Sequence, residues 1–286
     1  MKMEFVDYLK SQKMTEGTLR VYKSKINNML DAIEKTEDNI TQQDLTSYLA
    51  HYSANVQNST VATTVIIIKR YFEVLKKLNL IVDNPSENIE PPKHVYTAPK
   101  KALDYEQVQT LFSACENPRE KAIVSLFVST GIREGELTSL KLSDYINMRN
   151  KNENAIVIYG KGNKPRYIFF NEETIELIDE YISSYRHDSK EDLLFTSNQG
   201  NFLKNNNLNG TIRKLAKKAG ISFWNEVTCH TLRRSAATIY SDNGVPIAVI
   251  KDMLGHSNIA TTSRYIKNTV KKVEQTVSTF SLKGGN

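Results

Sequence analysis

His230-Thr231-Leu232-Arg233, then Leu254-Gly255-His256-Ser257, then Tyr265: this C-terminal stretch decides how the chain is read. It gathers two histidines, an arginine and a tyrosine. A second arginine stands far upstream, in Thr130-Gly131-Ile132-Arg133-Glu134-Gly135-Glu136-Leu137. A cationic pocket facing one phenol suits attack on a phosphodiester without a metal. Arginines balance the charge of a phosphorane-like transition state, and the tyrosine becomes the covalent nucleophile. No Asp/Glu cluster with Mg²⁺-binding spacing is present, and the cationic side chains can take a metal's place. Taken singly, each residue has a plain reading. Arg133 would be a surface cap or ion pair, His256 a helix-end cap, and Tyr265 one structural tyrosine among fourteen. The chemistry rests on the set.

The bulk properties bound the setting. With 286 residues, 40% of them hydrophobic, the chain is long enough for two domains of ordinary size. Net charge is +6, which favours a polyanionic partner through phosphate neutralisation. Residues 1–97 carry twelve basic and twelve acidic side chains, so the whole excess lies in the remainder. The only cysteines, Cys115 and Cys229, lack metal-type spacing. No stretch reaches the roughly 20 apolar residues of a membrane span, and the start Met1-Lys2-Met3-Glu4-Phe5-Val6 does not read as a signal peptide. A reduced, cytoplasmic protein without a structural disulfide is expected.

Three prolines, Pro91, Pro92 and Pro99, mark an extended connector, since proline cannot continue a helix. Residues 1–92 are expected to form one domain, 93–101 a linker and 102–286 a second domain with a tail. Ahead of the linker, Leu19, Tyr22, Ile26, Met29, Leu30 and Ile33 recur at helical spacing, as do Val65, Ile68, Phe72, Leu75 and Leu78. Thr41 is a candidate N-cap, and a bundle of four or five helices follows. The apolar run Val65-Ile66-Ile67-Ile68 is read as core. In the second domain Asp104-Tyr105-Glu106-Gln107 reads as a capping box, and Gly131 ends a helix through 122–128. A strand at Ala155–Tyr159, a Gly160-Lys161-Gly162-Asn163-Lys164 turn and a strand at Arg166–Phe170 predict a hairpin. Helices are predicted at 172–184, 207–219, 231–243, 246–254 and 261–265. The class is mainly α with a small antiparallel β-sheet. Gly160-Lys161-Gly162 lacks the spacing and the Ser/Thr of a P-loop.

These blocks resemble the tyrosine recombinase (phage integrase and Xer-like) family over nearly the whole chain. The resemblance implies an N-terminal helical core-binding (SAM-like) DNA-binding domain and a mixed α/β catalytic domain. It also implies the roles. Arg133 matches the first phosphate-gripping arginine, whose planar fork donates two parallel hydrogen bonds; Glu136 matches the acidic residue that orients it. Lys161 matches the hairpin lysine that protonates the departing 5′ oxygen, with Lys164 and Arg166 as alternatives. His230 and Arg233, three apart and so on one helix face, match the family's H-x-x-R block as proton acceptor and second clamp. His256 would hydrogen-bond the phosphate or its leaving oxygen, and Tyr265 is the nucleophile. The chain has Arg234 where many members have histidine after that arginine, and Cys229 where proline commonly precedes the histidine.

The implied activity is site-specific recombination through a 3′-phosphotyrosine and a Holliday junction, by a homotetramer on two double-stranded DNA sites. Neither metal nor cofactor is expected. The task would be integration and excision, or resolution of replicon dimers or transposon cointegrates. DNA contacts are expected from Lys69, Arg70, Lys76 and Lys77 along one helix, which read equally as a solvated face, and from Lys164, Arg166 and Arg234. The tail could form a helix with Val270, Val273 and Val277 on one side, folded back on its own domain or docked in a neighbouring subunit. Two other functions stay open: a type IB topoisomerase-like enzyme that relaxes supercoils, and a DNA-binding protein with an inactive catalytic domain.

Overall fold

Thr15 and Thr41 stand in extended backbone just ahead of helical runs, and each hydroxyl accepts a backbone N–H from the first turn beyond it. Such caps satisfy donors that have no partner inside the helix. In the computed structural model, which describes residues 1–92, 101–160, 165–203, 205–255 and 277–278, they open α2 (Glu16–Ile33) and α3 (Gln42–Ser53). With α1 (Met3–Ser11) and α4 (Asn58–Lys77) these build the first unit. Thr41 and Asp44 form a full capping box. Helix α4 touches each of the other three. Its Val65, Ile67, Ile68, Tyr71, Phe72 and Leu75 are buried with Phe5, Leu9, Ile26, Met29 and Leu45. Of the run read as core, Ile66 is the exception, at 57% exposure, because a four-residue stretch exceeds one helix face. Tyr71 lies edge-on to Phe5 and donates to Glu37 at 2.6 Å, so its buried hydroxyl is satisfied.

The chain divides into two compact units, Met1–Pro99 and Lys100–Asn286. In the second, the Asp104–Gln107 capping box opens α5 (Tyr105–Ser113). Asn117 and Pro118 then start α6 (Pro118–Thr130). Residues 122–130 of α6 are all buried, which makes it the central helix. Its polar side chains are paired: Ser125 and Ser129 share Thr174, and Thr130 bonds back to the Leu126 carbonyl. Gly131, at φ +60°, caps α6 in the left-handed region.

The short α7 (Glu134–Thr138) and α8 (Leu142–Asn150) lead into the hairpin β1 (Ala155–Tyr159) and β2 (Pro165–Phe169). The strands are antiparallel, with Ile156 opposite Ile168 and Ile158 opposite Arg166. Helices α9 (Glu172–Ser184), α10 (Asn205–Lys218), α11 (Cys229–Asp242) and α12 (Ile247–Leu254) follow. Both α9 and α11 pack on α6. The fold is therefore mainly helical with a two-stranded antiparallel sheet, as expected. Helix α8, which the sequence reading did not foresee, buries only Tyr145 and Met148. The second strand lies one residue earlier than expected. Val277 is buried at 1% in the core of its own unit, so at this residue the fold-back alternative is the one seen. The helix expected at 261–265 and the valines 270 and 273 lie outside the described residues. No helix among the described residues is long and apolar enough to cross a membrane.

Candidate active site

Because Gly131 turns the chain sharply out of α6, Arg133 becomes the N-cap residue of α7. Glu136 then falls at the third helical position, where its carboxylate accepts the Arg133 backbone N–H at 2.9 Å. The same carboxylate accepts Arg133 Nη1 at 2.8 Å, so one acid fixes both ends of the arginine. Glu136 is 8% exposed and its second oxygen also takes Arg166 Nη2 at 2.7 Å. Arg166 comes from β2, on the face it shares with Ile156, Ile158 and Ile168. Its other terminal nitrogen donates to the Met253 carbonyl at 2.6 Å.

Arg233 enters from α11 and is 4% exposed. It donates to the Gly131 carbonyl and to the Leu254 carbonyl. Arg133 Nη2 completes the pattern by donating to the Gly255 carbonyl at 2.7 Å. Three successive carbonyls at the C-terminal end of α12 are thus taken by three arginines from three other elements. A helix end leaves its last carbonyls unpaired and carries partial negative charge, so cations belong there.

The electrostatics are uneven: three guanidiniums surround one carboxylate. Burial and the nearby Arg133 and Arg166 cations, opposed by Glu136, bring the Arg233 pKa down to about 9. Burial also lowers that of Arg166, against the pull of Glu136. Burial acts to raise the Glu136 carboxyl, yet Arg166 and Arg133 outweigh it and hold the group below the usual range. Such a site has positive charge to spare for an anion.

A second network fixes the start of α11. The Cys229 N–H donates to Asn209 Oδ1 at 3.0 Å, and the Asn209 amide donates to Glu134 at 2.6 Å. Burial, and then the nearby Glu134 carboxylate, push the Cys229 thiol up. Burial raises the Glu134 carboxyl above its ordinary value. A proline at 229 would supply no such donor, so the departure at this position ties α7, α10 and α11 together. Sequence reasoning missed Asn209, which no motif marks.

The residues expected from the sequence are distributed as follows. Arg133, Glu136 and Arg233 are brought together. His230 and Arg233 do not share an environment: His230 is exposed on α11, whereas Arg233 points inward. Arg166, expected at the DNA or as a substitute acid, is instead a buried member of the arginine cluster. Its β2 register opposite buried Ile158 was the signal. Lys69 donates to the Glu87 and Ile89 carbonyls at 3.0 and 2.8 Å, and Arg70 bonds Tyr8 and stacks on its ring. Lys77 also lies over Tyr8, while Lys76 is exposed. Arg234 donates to the Lys101 carbonyl. Lys161, Lys164, His256 and Tyr265 lie outside the described residues.

Comparison with known proteins gives concordant matches. Residues 101–272 match the model of the phage integrase family, and residues 3–79 that of the phage integrase N-terminal SAM-like domain. The tyrosine recombinase XerD of Halalkalibacterium halodurans is 30% identical over 253 residues, 85% of this chain and 82% of that protein. The tyrosine recombinase XerC of Lactobacillus leichmannii is 27% identical over 237 residues, 80% of this chain and 78% of its own length. Among solved structures, a lambda integrase fragment (75–356) seen as a dimer bound to a COC′ core site superposes with a TM-score of 0.72 at 18% identity. That superposition covers 89% of this chain and 93% of the fragment.

Proposed function

The chain belongs to the phage integrase family and is a tyrosine-type site-specific recombinase that breaks and rejoins DNA, and from that premise we propose how its residues divide the work. Tyr265 attacks the scissile phosphate, giving a 3′-phosphotyrosine and a free 5′ hydroxyl. A phenol of pKa about 10 is one part in a thousand ionised at pH 7, so deprotonation costs about 4 kcal/mol. His230 accepts that proton. Arg133 and Arg233 bind the nonbridging oxygens and stabilise the charge that grows on them. His256 donates to the same phosphate, and Lys161 protonates the leaving oxygen. The energy of the broken ester is kept in the covalent link, so rejoining needs no nucleotide.

The observation that supports this reading most is the convergence of Arg133 and Arg233 on the carbonyls of residues 254 and 255. That turn immediately precedes His256, and Tyr265 follows within the same stretch.

The domain of residues 1–92 would grip the duplex with Lys76 among its contacts, across the 93–101 linker from the catalytic domain of residues 102–286. Four subunits on two DNA sites would exchange strands through a Holliday junction; the lambda integrase fragment is seen as a dimer bound to a COC′ core site. In that assembly the tail moves into a neighbouring subunit, Val277 leaving its own pocket for an identical one. The biological task we assign is resolution or transposition of the Xer-like kind.

Sequencing the junctions made by the intact chain defines its DNA site. A nicked suicide duplex carrying that site should then trap a covalent adduct with the intact chain and none with Tyr265→Phe. An adduct that persists in the phenylalanine variant removes Tyr265 as nucleophile. Exchange between two such sites separates recombination from simple relaxation of supercoils.

A further inference from the structure

Four observations meet at Arg166. Its side chain is 11% exposed, too buried for a surface contact. It bridges two elements of the site, donating to Glu136 Oε2 at 2.7 Å and to the Met253 carbonyl at 2.6 Å. Its Nε is a buried donor without a hydrogen-bond partner among the described residues. Finally, a Cβ on Gly255 would meet Arg166 Cδ at 2.5 Å and Nε at 2.8 Å, so the guanidinium stem lies directly against that glycine.

Stability alone is a poor explanation for this placement. A buried, unsatisfied donor is destabilising, and buried ion pairs are often replaceable by apolar side chains at no loss. Arg166 also adds a third cation where Arg133 and Arg233 already repel. What it does supply is geometry. Glu136 Oε1 accepts the Arg133 guanidinium, while Oε2 accepts both the Arg133 backbone N–H and Arg166, so Arg166 adds the side-chain bond that holds the carboxylate's rotation and with it the Arg133 fork. The Met253 bond fixes the end of α12 from which His256 departs.

We propose that Arg166 is a positioning residue for strand cleavage, acting through Glu136 and the α12 terminus and never touching DNA. This rests on the reading of Arg133 as a phosphate ligand. A misplacement of about 1 Å at such a ligand lowers rate on the order of 100-fold, which sets the size of the effect.

The test uses the full chain and the nicked duplex carrying its own site. In Arg166→Met, single-turnover adduct formation should fall about 100-fold, while the slope of log Kd against log salt stays that of the parent. Arg166→Lys restores a cation beside Glu136 but cannot reach both partners with a planar fork, and should recover part of the rate. Combining Arg166→Met with Glu136→Gln should cost no more than the worse single change, because both act on Arg133. Parent-like cleavage by a folded Arg166→Met protein overturns the proposal. So does a salt slope reduced by about one, which marks a direct phosphate contact, or losses that multiply in the double variant. Should the methionine variant not fold, full-rate cleavage by Arg166→Lys overturns it equally. Arg133→Ala separates the two levels: persistent cleavage there would remove the underlying reading, not merely the role of Arg166.

Discussion

At Gly255 the backbone takes φ +61°, a region that L side chains rarely adopt, and Arg166 occupies the space where a Cβ would go. Gly255→Ala therefore meets strain from two sources. We expect a loss of about 1–3 kcal/mol in unfolding free energy, seen by denaturant titration, together with a much larger fall in adduct formation. A variant that keeps the parent's cleavage rate would show that Arg166 yields freely. Glu136 gives a pH prediction. Its folded pKa lies below the ordinary carboxylate value, so the unfolded state binds the proton more readily. The associated stability is fully present above that value and is lost as pH falls through the folded pKa. In Glu136→Gln this acid limb should flatten, measured as melting temperature against pH from 6 down to about 3. At this scale the motifs named Arg133, Glu136 and Arg233 from sequence alone. The burial of Arg166 went unread because charge was weighed before strand register, which puts it opposite buried Ile158.

Among the elements, the helices with strong caps or long apolar stripes were the legible ones. Thr41 with Asp44 and Asp104 with Gln107 announce α3 and α5, and α4 shows its period over about four turns. The β1–β2 hairpin was visible through alternation, since Ile156 and Ile158 face inward while Val157 and Tyr159 face outward. Helix α8 was not, because two buried residues, Tyr145 and Met148, leave too short a pattern to detect. The α4 lysines illustrate the same limit: four cations on one helix look alike in sequence, yet their partners differ. Lys69→Ala should destabilise the first unit by about 1 kcal/mol, by freeing the carbonyls of Glu87 and Ile89. Lys76→Ala should leave stability unchanged and lower the salt slope of DNA binding by about one. Equal behaviour of the two variants in thermal melts would show that the carbonyl bonds contribute nothing.

For the whole molecule, the tail links stability to assembly. Val277 sits at 1% exposure in the core of the second unit, so removing residues after 268 empties that place. The truncated chain should melt lower, with a loss of about 1–3 kcal/mol from the vacated pocket, and should fail in exchange between two sites while still binding one duplex. Undiminished exchange by the truncated chain would remove the tail from assembly. The +6 charge lies entirely beyond residue 97, in the same part of the chain as Arg133 and Arg233, and favours a polyanion there. A further consequence follows from Gly131, whose carbonyl bonds Arg233 and whose α-carbon lies against Leu254. Residues 132–253 form a closed loop pinned at its base, and a loop's entropic cost rises by only about 0.6 kcal/mol for each doubling of its length. Exposed connections within it, such as the turn at 151–153, are therefore free to lengthen or diverge.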